Sequence, residues 1–320
     1  MKYLVTGASG FVGRHRCEHL ATTGQQVVPI RNSRGEGYCL DITDRNCLDY
    51  VIAREKPDII EHFASQAIVS VSRSDPYQTY KTNILGALNV LEAAKKFNLP
   101  CMIFTSDKAF GNRSVSSEDS PPELCFGAYE TSKILQDMLA RSYLTTGQKV
   151  YVVRSCNIFG PYDKNSRIVP NTLRSLYAGK PPIIFRNNKN VRQFIYIKDV
   201  MSALDLIEKQ DSYLWNIGSD IKLSQEDTVL KIIEVWNSYF NTMFEPQYID
   251  GPDIKEISEQ YLSFAKLHAL DWHPKYNFED GIRDIINSER VSVTSALYNN
   301  STIFYPTQYK FTSPMYNPIY

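Results

Sequence analysis

The chain has 320 residues, and its 35 basic and 35 acidic side chains give a formal net charge of zero. Because these charges are spread along the chain, the sequence lacks the basic patches typical of proteins that bind nucleic acids or anionic membranes. The length predicts one large lobe and one smaller one, and the apolar content is sufficient for a sizeable core.

The cysteines and histidines exclude several other classes of protein. Six cysteines lack C-x-x-C spacing and five histidines lack H-E-x-x-H spacing, so we expect reduced, buried thiols and no metal site. The sequence shows neither a signal-peptide pattern nor an apolar stretch of membrane-spanning length. We therefore expect a cytoplasmic protein with no membrane or nucleic-acid partner.

The most specific local pattern comes first in the chain, where an apolar strand over residues 3–5 leads into a glycine-rich turn. Gly7 permits a tight turn, Gly10 lets the backbone approach a pyrophosphate, and Gly13 lets the following helix pack on the strand. The free N–H groups and the dipole at the helix N-terminus favour an anion. The turn therefore predicts a dinucleotide site contacted by Thr6, Gly7, Ser9, Gly10, Phe11, Val12 and Gly13.

Strand-like apolar runs then alternate with helical segments. The predicted strands cover residues 26–30, 58–63, 101–105 and 150–154, and the predicted helices include residues 82–97 and 128–143. This alternation is typical of βαβ units. We predict an α/β fold with a Rossmann-like, doubly wound parallel sheet and a smaller α+β substrate-binding lobe.

The regular alternation weakens after residue 165, and this change predicts the domain boundaries. We assign residues 1–165 to the dinucleotide-binding lobe and 166–290 to the substrate lobe, with a segment near 193–218 rejoining the first. The capping-box spacing from Ser224 to Asp227 predicts the start of a helix. Residues 291–320 form a tail with one charged residue, Lys310, and many tyrosines. We favour a surface strap over a disordered tail.

Three side chains form a candidate catalytic group. Tyr129 and Lys133 are four residues apart in a predicted helix, so they share one face, where an ammonium lowers the pKa of a phenol. Ser106 follows a predicted strand, and ligands in such sheets bind beyond the carboxyl ends of the strands. The Tyr/Lys spacing alone is more typical of a surface pair. Together with the glycine turn and Ser106, it favours acid/base chemistry.

These motifs resemble the extended short-chain dehydrogenase/reductase family, in particular its sugar-nucleotide dehydratases and epimerases, over residues 1–288. The resemblance implies an NADP or NAD cofactor and a nucleotide-diphosphate sugar substrate. It implies further cofactor contacts from Asp41, Ile42, Phe63, Ala64, Ser65 and Asn83, beside Tyr129 and Lys133. It implies substrate contacts from Gln66, Asn157, Arg167, Ile168, Val169, Arg192 and Tyr261. Arg192 would clamp the diphosphate, which the planar donor fork of a guanidinium suits.

The two residues after Ser106 bear on the type of reaction. Dehydratases of this family place an acid/base pair there, most often Asp-Glu, and Asp107-Lys108 is similar to the CDP-glucose 4,6-dehydratase branch. That resemblance implies oxidation at C4, elimination of water across C5–C6 and return of hydride to C6. We favour Lys108 as the base and Asp107 as the acid. The alternatives are a 4-epimerase or 4-reductase, which would not need the pair, and a non-catalytic NAD(P)-binding module.

The end of the second predicted strand bears on cofactor choice. Arg31 and Arg34 are present there, without the acidic residue that NAD-selective sites usually place at the ribose 2′-hydroxyl. Arginines suit a 2′-phosphate, so we favour NADP over NAD.

Helices 82–97 and 128–143 resemble those through which family members dimerise, so we expect a homodimer. Two charged residues at apolar positions, Arg16 and Glu61, have no explanation from the sequence.

Overall fold

A computed structural model of the chain describes residues 1–33, 35–123, 125, 127–252 and 257–298, the side chains of residues 290–298 excepted. Arg34 and residues 299–320, most of the predicted tail, lie outside this description. Within the described residues, no helix is both long and apolar enough to cross a membrane.

The strands, in chain order, are β1 (Lys2–Thr6), β2 (Gln26–Arg31), β3 (Tyr38–Cys39), β4 (Ile59–His62), β5 (Cys101–Ser106), β6 (Val115–Ser116), β7 (Val150–Ser155), β8 (Asn157–Phe159), β9 (Ile183–Phe185), β10 (Val191–Tyr196), β11 (Leu214–Ile217), β12 (Ile221–Ser224), β13 (Gln247–Ile249) and β14 (Glu259–Leu262). The helices are α1 (Phe11–Thr22), α2 (Arg45–Glu55), α3 (Val69–Ser74), α4 (Pro76–Tyr80), α5 (Gly86–Lys96), α6 (Ala128–Leu144), α7 (Ile168–Tyr177), α8 (Ile197–Ile207), α9 (Gln225–Phe240), α10 (Ala265–His268) and α11 (Phe278–Tyr298).

Seven parallel strands form the central sheet in the order β11-β7-β5-β4-β1-β2-β3. Successive side chains of β1 point to opposite faces: Leu4 packs with Leu48 of α2, and Val5 packs with Leu20 of α1. Helices therefore cover both faces, which confirms the predicted doubly wound fold. The strand order reverses between β1 and β4, and ligands bind at such a switch point.

A smaller sheet lies beyond the carboxyl ends of the central strands. Its order is β12-β10-β14-β6, with β8 paired to β10, so its strands come from distant parts of the chain. β6 and β8 precede residue 166, whereas β11 follows it and pairs with β7 of the central sheet. Chain segments thus cross between the two sheets several times.

Two helix starts bear directly on the sequence predictions. The start of α9 is confirmed, because Ser224 and Asp227 form a reciprocal capping box ahead of Gln225. The single helix predicted over residues 82–97 is wrong in its first turn. Lys81–Leu85 is a π-helical turn, and regular α5 begins only at Gly86. Such wider turns are frequent at functional sites.

Arg16 and Glu61 are partners. The Nε atom of Arg16 donates to Glu61 at 2.9 Å, and its Nη2 donates to the same carboxylate at 2.8 Å. The guanidinium also donates to Asp205 at 2.5 Å and to Glu208 at 3.1 Å. Both Arg16 and Glu61 are fully buried. The cluster therefore ties α1 and β4 to α8 and the residue that follows it.

Candidate active site

The glycine turn has the shape that a dinucleotide requires. Gly7 has φ +69°, and a Cβ atom on it would lie 2.6 Å from the backbone nitrogen of Ala64. A Cβ on Gly13 would lie 2.3 Å from the carbonyl oxygen of Gly7. The turn, α1 and the end of β4 thus approach each other with no space for side chains. These residues fit a pyrophosphate at the N-terminus of α1.

Side chains beside the turn hold the ends of β1 and β4 together. Thr6 Oγ1 hydrogen-bonds His62 Nδ1 at 2.8 Å and accepts from the Ala64 N–H at 3.3 Å. Burial lowers the pKa of His62 to about 3, so its imidazole is neutral. Of the other predicted contacts, Ser9 is exposed, Phe11 is buried, and Val12 and Phe63 are partly buried.

Asn83, in the π-helical turn, fastens the loop after β4 to α6. Its Oδ1 accepts from the Gln66 N–H at 2.7 Å and from Ser65 Oγ at 3.0 Å. Its Nδ2 donates to the Gln66 carbonyl at 3.0 Å and to Ser132 Oγ at 2.9 Å. Asn83 is fully buried, so this amide supports the site from beneath the loop.

Lys133 is held by neutral groups. Its Nζ donates to Ser65 Oγ at 2.7 Å and to Gln136 Oε1 at 3.0 Å. Burial, together with the positive charge of Arg167, lowers the pKa of Lys133 to about 7. Burial disfavours a charged ammonium, and the two neutral acceptors, Ser65 and Gln136, supply no negative charge to offset this effect.

Tyr129 lies beside Ser106, as predicted, near enough for the Ser106 hydroxyl to act on the pKa of the phenol through hydrogen bonding. Burial raises the pKa of Tyr129, while Arg167 and the bond with Ser106 lower it to a smaller extent. The predicted lowering of this pKa is therefore wrong for this structure, because desolvation of the buried phenol outweighs the charge of Arg167 and the Ser106 hydroxyl.

Asp107 and Lys108 open a 3-10 turn, Asp107–Phe110, directly after β5. Ser106 Oγ caps the turn by accepting from the Lys108 N–H at 3.2 Å. Asp107 is buried, and its Oδ2 has no hydrogen-bond partner among the described residues. Burial raises the pKa of Asp107, although Lys108 and Arg192 oppose this effect. The carboxyl group is thus biased towards its protonated form.

Apart from Gln66, which is bonded to Asn83, the predicted substrate contacts divide into two groups. Arg167, at the N-cap of α7, acts electrostatically on Tyr129, Lys133 and Asp107, and Arg192 acts on Asp107. Both arginines therefore lie within electrostatic range of the candidate catalytic group, and Arg192 Nη1 donates to the carbonyl of Val191 at 2.9 Å. Ile168 and Val169 follow Arg167 in the first turn of α7.

Two other predicted contacts lie in the small sheet. Asn157 is exposed at the start of β8, where its Nδ2 donates to the carbonyl of Gln193 at 3.1 Å. The ring of Tyr261 lies beside Lys222, with the ammonium 4.4 Å from the ring centre. Because side chains alternate along β14, Tyr261 points away from Gln260, which bonds Lys108. The structure does not bring Tyr261 to the Asp107–Phe110 turn.

The opposite end of the predicted cofactor site lies at β2 and the loop before α2. Arg31 is partly buried, and its Nε has no hydrogen-bond partner within the part of the chain that the structure describes. Asp41 is exposed and accepts from the Thr43 N–H at 2.9 Å. Ile42 is buried against Gly86. Among the described residues, no three His, Cys, Asp or Glu side chains form a cluster that could hold a metal ion.

The sequence predictions missed two glutamines. Gln136 Oε1 accepts from Lys133, and Gln260 Oε1 accepts from Lys108 Nζ at 2.5 Å. Gln136 lies one helical turn after Lys133, so its spacing was a usable signal. Gln260 lies on β14, 152 residues after Lys108, and no local pattern connects the two.

Comparison with known proteins agrees with this geometry. Residues 3–218 match the family model described as "NAD dependent epimerase/dehydratase family". The low-salt glycan biosynthesis protein Agl12 of Haloferax volcanii is 28% identical over 315 residues, covering 90% of this chain and 98% of that protein. The dTDP-D-glucose 4,6-dehydratase of Dictyostelium discoideum is 25% identical over 346 residues, covering 88% of this chain and 80% of that protein.

A solved structure extends the comparison. The UDP-glucose 4-epimerase of Thermotoga maritima, described with UDP-glucose, superposes with a TM-score of 0.80 and is 26% identical. The match covers 91% of this chain and 99% of that one. Dehydratases and epimerases thus both occur among the relatives, as the motifs predict. The extent of the family match establishes that the chain belongs to the NAD dependent epimerase/dehydratase family.

Proposed function

We propose that the protein is a nucleotide-sugar 4,6-dehydratase. The observation that carries this proposal is the Asp107 carboxyl group, which is buried, lacks a hydrogen-bond partner on Oδ2 among the described residues, and stands directly after Ser106. Burial raises the pKa of this carboxyl group. A raised pKa suits a general acid, because the group must hold a proton before it can protonate the leaving hydroxyl. An epimerase has no use for a second acid at this position.

The cofactor would lie along the glycine turn of residues 7–13, with Lys133 near its reactive end. When bound, NAD or NADP supplies the hydride acceptor and donor. The chain's own groups handle the protons. Ser106 orients the C4 hydroxyl of the sugar, and Tyr129 removes its proton, with Arg167 and Ser106 stabilising the phenolate against the effect of burial.

Elimination then uses the pair on the 3-10 turn. The carbonyl at C4 acidifies the C5 proton, and Lys108 accepts that proton. Asp107 gives a proton to the C6 hydroxyl as the C6–O bond breaks, so water leaves and a C5–C6 double bond forms. Protonation at C5 and reduction at C6 complete a 4-keto-6-deoxy sugar. Arg192, whose charge acts on Asp107, would bind the diphosphate.

Two finer assignments belong to the same proposal. The Asp-Lys pair favours a CDP-sugar, as in the branch that it resembles. The Arg31 guanidinium, with its Nε lacking a partner among the described residues, favours the 2′-phosphate of NADP over the 2′-hydroxyl of NAD. A cytoplasmic location and a homodimer stay predictions.

Mass spectrometry tests the reaction. The protein is incubated separately with CDP-, dTDP-, GDP- and UDP-hexoses, each with NAD and with NADP. We expect loss of one water from the CDP-sugar, fastest with NADP. Demonstrable cofactor binding without water loss from any of these sugars would reject the dehydratase.

A second candidate is a 4-epimerase, favoured by the UDP-glucose 4-epimerase structure that the chain resembles. Lys108→Ala separates the two, with Lys209→Ala at an exposed position as the control. A dehydratase loses turnover only in Lys108→Ala. An epimerase, which uses Tyr129 and Lys133 alone, keeps its turnover in both variants and gives a product of unchanged mass.

A further inference from the structure

The side chain of Gln260, a buried glutamine of the small sheet, forms hydrogen bonds with the turn that carries Asp107 and Lys108. Gln260 is 1% exposed. Its Oε1 accepts from Lys108 Nζ at 2.5 Å, and its Nε2 donates to the carbonyl of Asp107 at 3.3 Å and to that of Gly111 at 3.0 Å. One side-chain amide thus contacts the first residue of the turn, its lysine head group and its C-cap.

The position of Gln260 in the sheet connects this contact to the substrate lobe. In the parallel pairing of β10 and β14, Gln260 lies directly opposite Arg192, the proposed diphosphate clamp. The next strand pair places Tyr261 opposite Val115 of β6. The strand that contacts the catalytic turn is therefore the neighbour of the strand that carries Arg192.

We infer that Gln260 is a positioning residue that holds the Lys108 amine where the elimination step needs it and couples the turn to the substrate-binding strand. This inference rests on the proposed dehydratase function. Gln260 touches neither the reacting atoms nor the cofactor site in this scheme, and it acts through Lys108.

An amide suits this task better than a charged group. It accepts a hydrogen bond from the amine and has no proton to exchange near neutral pH. A carboxylate at the same place would pair with the ammonium, favour its charged form and weaken Lys108 as a base. Among the described residues, the charged or titratable groups around the turn include Asp107 on the turn itself, Arg192 on β10, Arg167 at the start of α7 and Tyr129 on α6. Two more come from β7 and the residue after it: the Arg154 guanidinium lies 5.1 Å from the centre of the Phe110 ring, and Cys156 feels the charge of Asp107.

Three variants test the inference. Gln260→Glu keeps the shape and adds a charge, and Gln260→Met removes the acceptor. Gln193→Met is the matched control, because Gln193 is another buried glutamine of the same sheet, bonded to Ser219 and Leu262 but not to the turn. A thermal melt of each variant separates general loss of stability from a local effect.

The first readout does not depend on activity. Lys108 in the full chain is acetylated with a limiting amount of acetic anhydride across a pH series, and its modification is followed by mass spectrometry. At a fixed, mildly alkaline pH we expect Gln260→Glu to slow acetylation of Lys108 about tenfold, because the added carboxylate favours the ammonium and leaves less free amine to react. Gln260→Met should speed it, since the amine loses its acceptor. Gln193→Met should leave it unchanged.

The second readout is water loss from the substrate. Because a displaced catalytic group costs up to about 100-fold in rate, we expect Gln260→Met to lower kcat by about 10- to 100-fold with little change in KM. In Gln260→Glu the rising limb of the pH–rate profile should move to higher pH. Equal labelling of Lys108 in all variants, or equal effects of Gln260→Met and Gln193→Met, would overturn the inference. Altered labelling without any water loss by the wild type would support the contact and reject the dehydratase.

Discussion

Two buried clusters of ionisable side chains in this protein differ in how their charges are paired. In the cluster under α1, the Arg16 guanidinium donates to Glu61, Asp205 and Glu208, and the surrounding carboxylates raise its pKa. In the candidate active site, Lys133 is held by two neutral oxygens and its pKa falls to about 7. Asp107 has a carboxylate oxygen with no partner among the described residues.

The difference separates charges that hold the fold from charges that are available for chemistry. A buried ion whose hydrogen bonds are complete keeps its ordinary charge state and resists change. A buried ionisable group with neutral or missing partners has a displaced pKa and exchanges protons near working pH, which is why such groups concentrate at active sites. Breaking the cluster around Arg16 should therefore lower the stability of the fold, whereas breaking the candidate active site should lower the rate of the reaction.

The largest expected effect is on rate. Tyr129→Phe removes the proposed base, and we expect kcat to fall by about 10²–10⁴. The free energy of unfolding should change little. Tyr143→Phe, on the same helix, is the control, because its hydroxyl bonds Glu92 at 2.5 Å, away from the candidate site. Unchanged turnover in Tyr129→Phe would show that Tyr129 is not the base of the reaction.

The next effect is on stability. Arg16→Met leaves Glu61 buried without a partner, and we expect a loss of about 3–5 kcal/mol in urea unfolding. The double variant, Arg16→Met with Glu61→Met, should recover part of that loss, since the fully buried Glu61 charge is gone while Asp205 and Glu208 still lack the arginine. Arg14→Met is the control, because the Arg14–Glu18 pair is exposed and is worth at most about 0.5 kcal/mol. A tolerated single change would refute the structural role.

The same two clusters show how far the sequence can be interpreted. The glycine turn and the Tyr129/Lys133 spacing are local patterns, and the sequence alone places both correctly in the fold. Arg16 and Glu61 each look misplaced in the sequence, because each conflicts with the apolar period of its own element. Their pairing depends on α1 packing beside β4, a tertiary contact that periodicity does not encode.

The small sheet shows the same limit. Its strands β6, β8, β10, β12 and β14 are two to six residues long and come from residues 115 to 262. Short strands carry little periodic signal, and the pairing that sets Gln260 beside Lys108 joins residues 152 apart. The predicted pKa of Tyr129 is wrong for a related reason, since spacing gives the neighbouring charge but not the depth of burial.

A third prediction sharpens the contrast through pH. The unfolded chain keeps the Lys133 proton up to its ordinary pKa, whereas the folded protein releases it near pH 7. Between about pH 7 and 10 the unfolded state binds more protons than the folded state. This group therefore raises the free energy of unfolding by about 1.4 kcal/mol for each pH unit in that range. In Lys133→Met this contribution is absent. Urea unfolding of both proteins without added cofactor, from about pH 7 to 9, measures the difference, and parallel curves would contradict the lowered pKa.

The smallest expected effect concerns Asp107. Because burial raises its pKa, the folded state binds more protons than the unfolded state just above the ordinary pKa, and the wild type loses stability as pH rises through that window. Asp107→Asn has no charge to bury, so at pH 7 it should be as stable as the wild type or more stable by about 1 kcal/mol, while water loss from the substrate falls.

Asp137→Asn is the matched change, because Asp137 is equally buried but bonds Arg154 at 2.6 and 2.9 Å. It should destabilise the protein by about 3 kcal/mol, since the buried Arg154 guanidinium loses the negative charge of its carboxylate partner. If Asp107→Asn cost as much in urea unfolding as Asp137→Asn, the Asp107 charge would belong with the ions that hold the fold. The distinction between the two clusters would then fail at the residue on which the proposed reaction most depends.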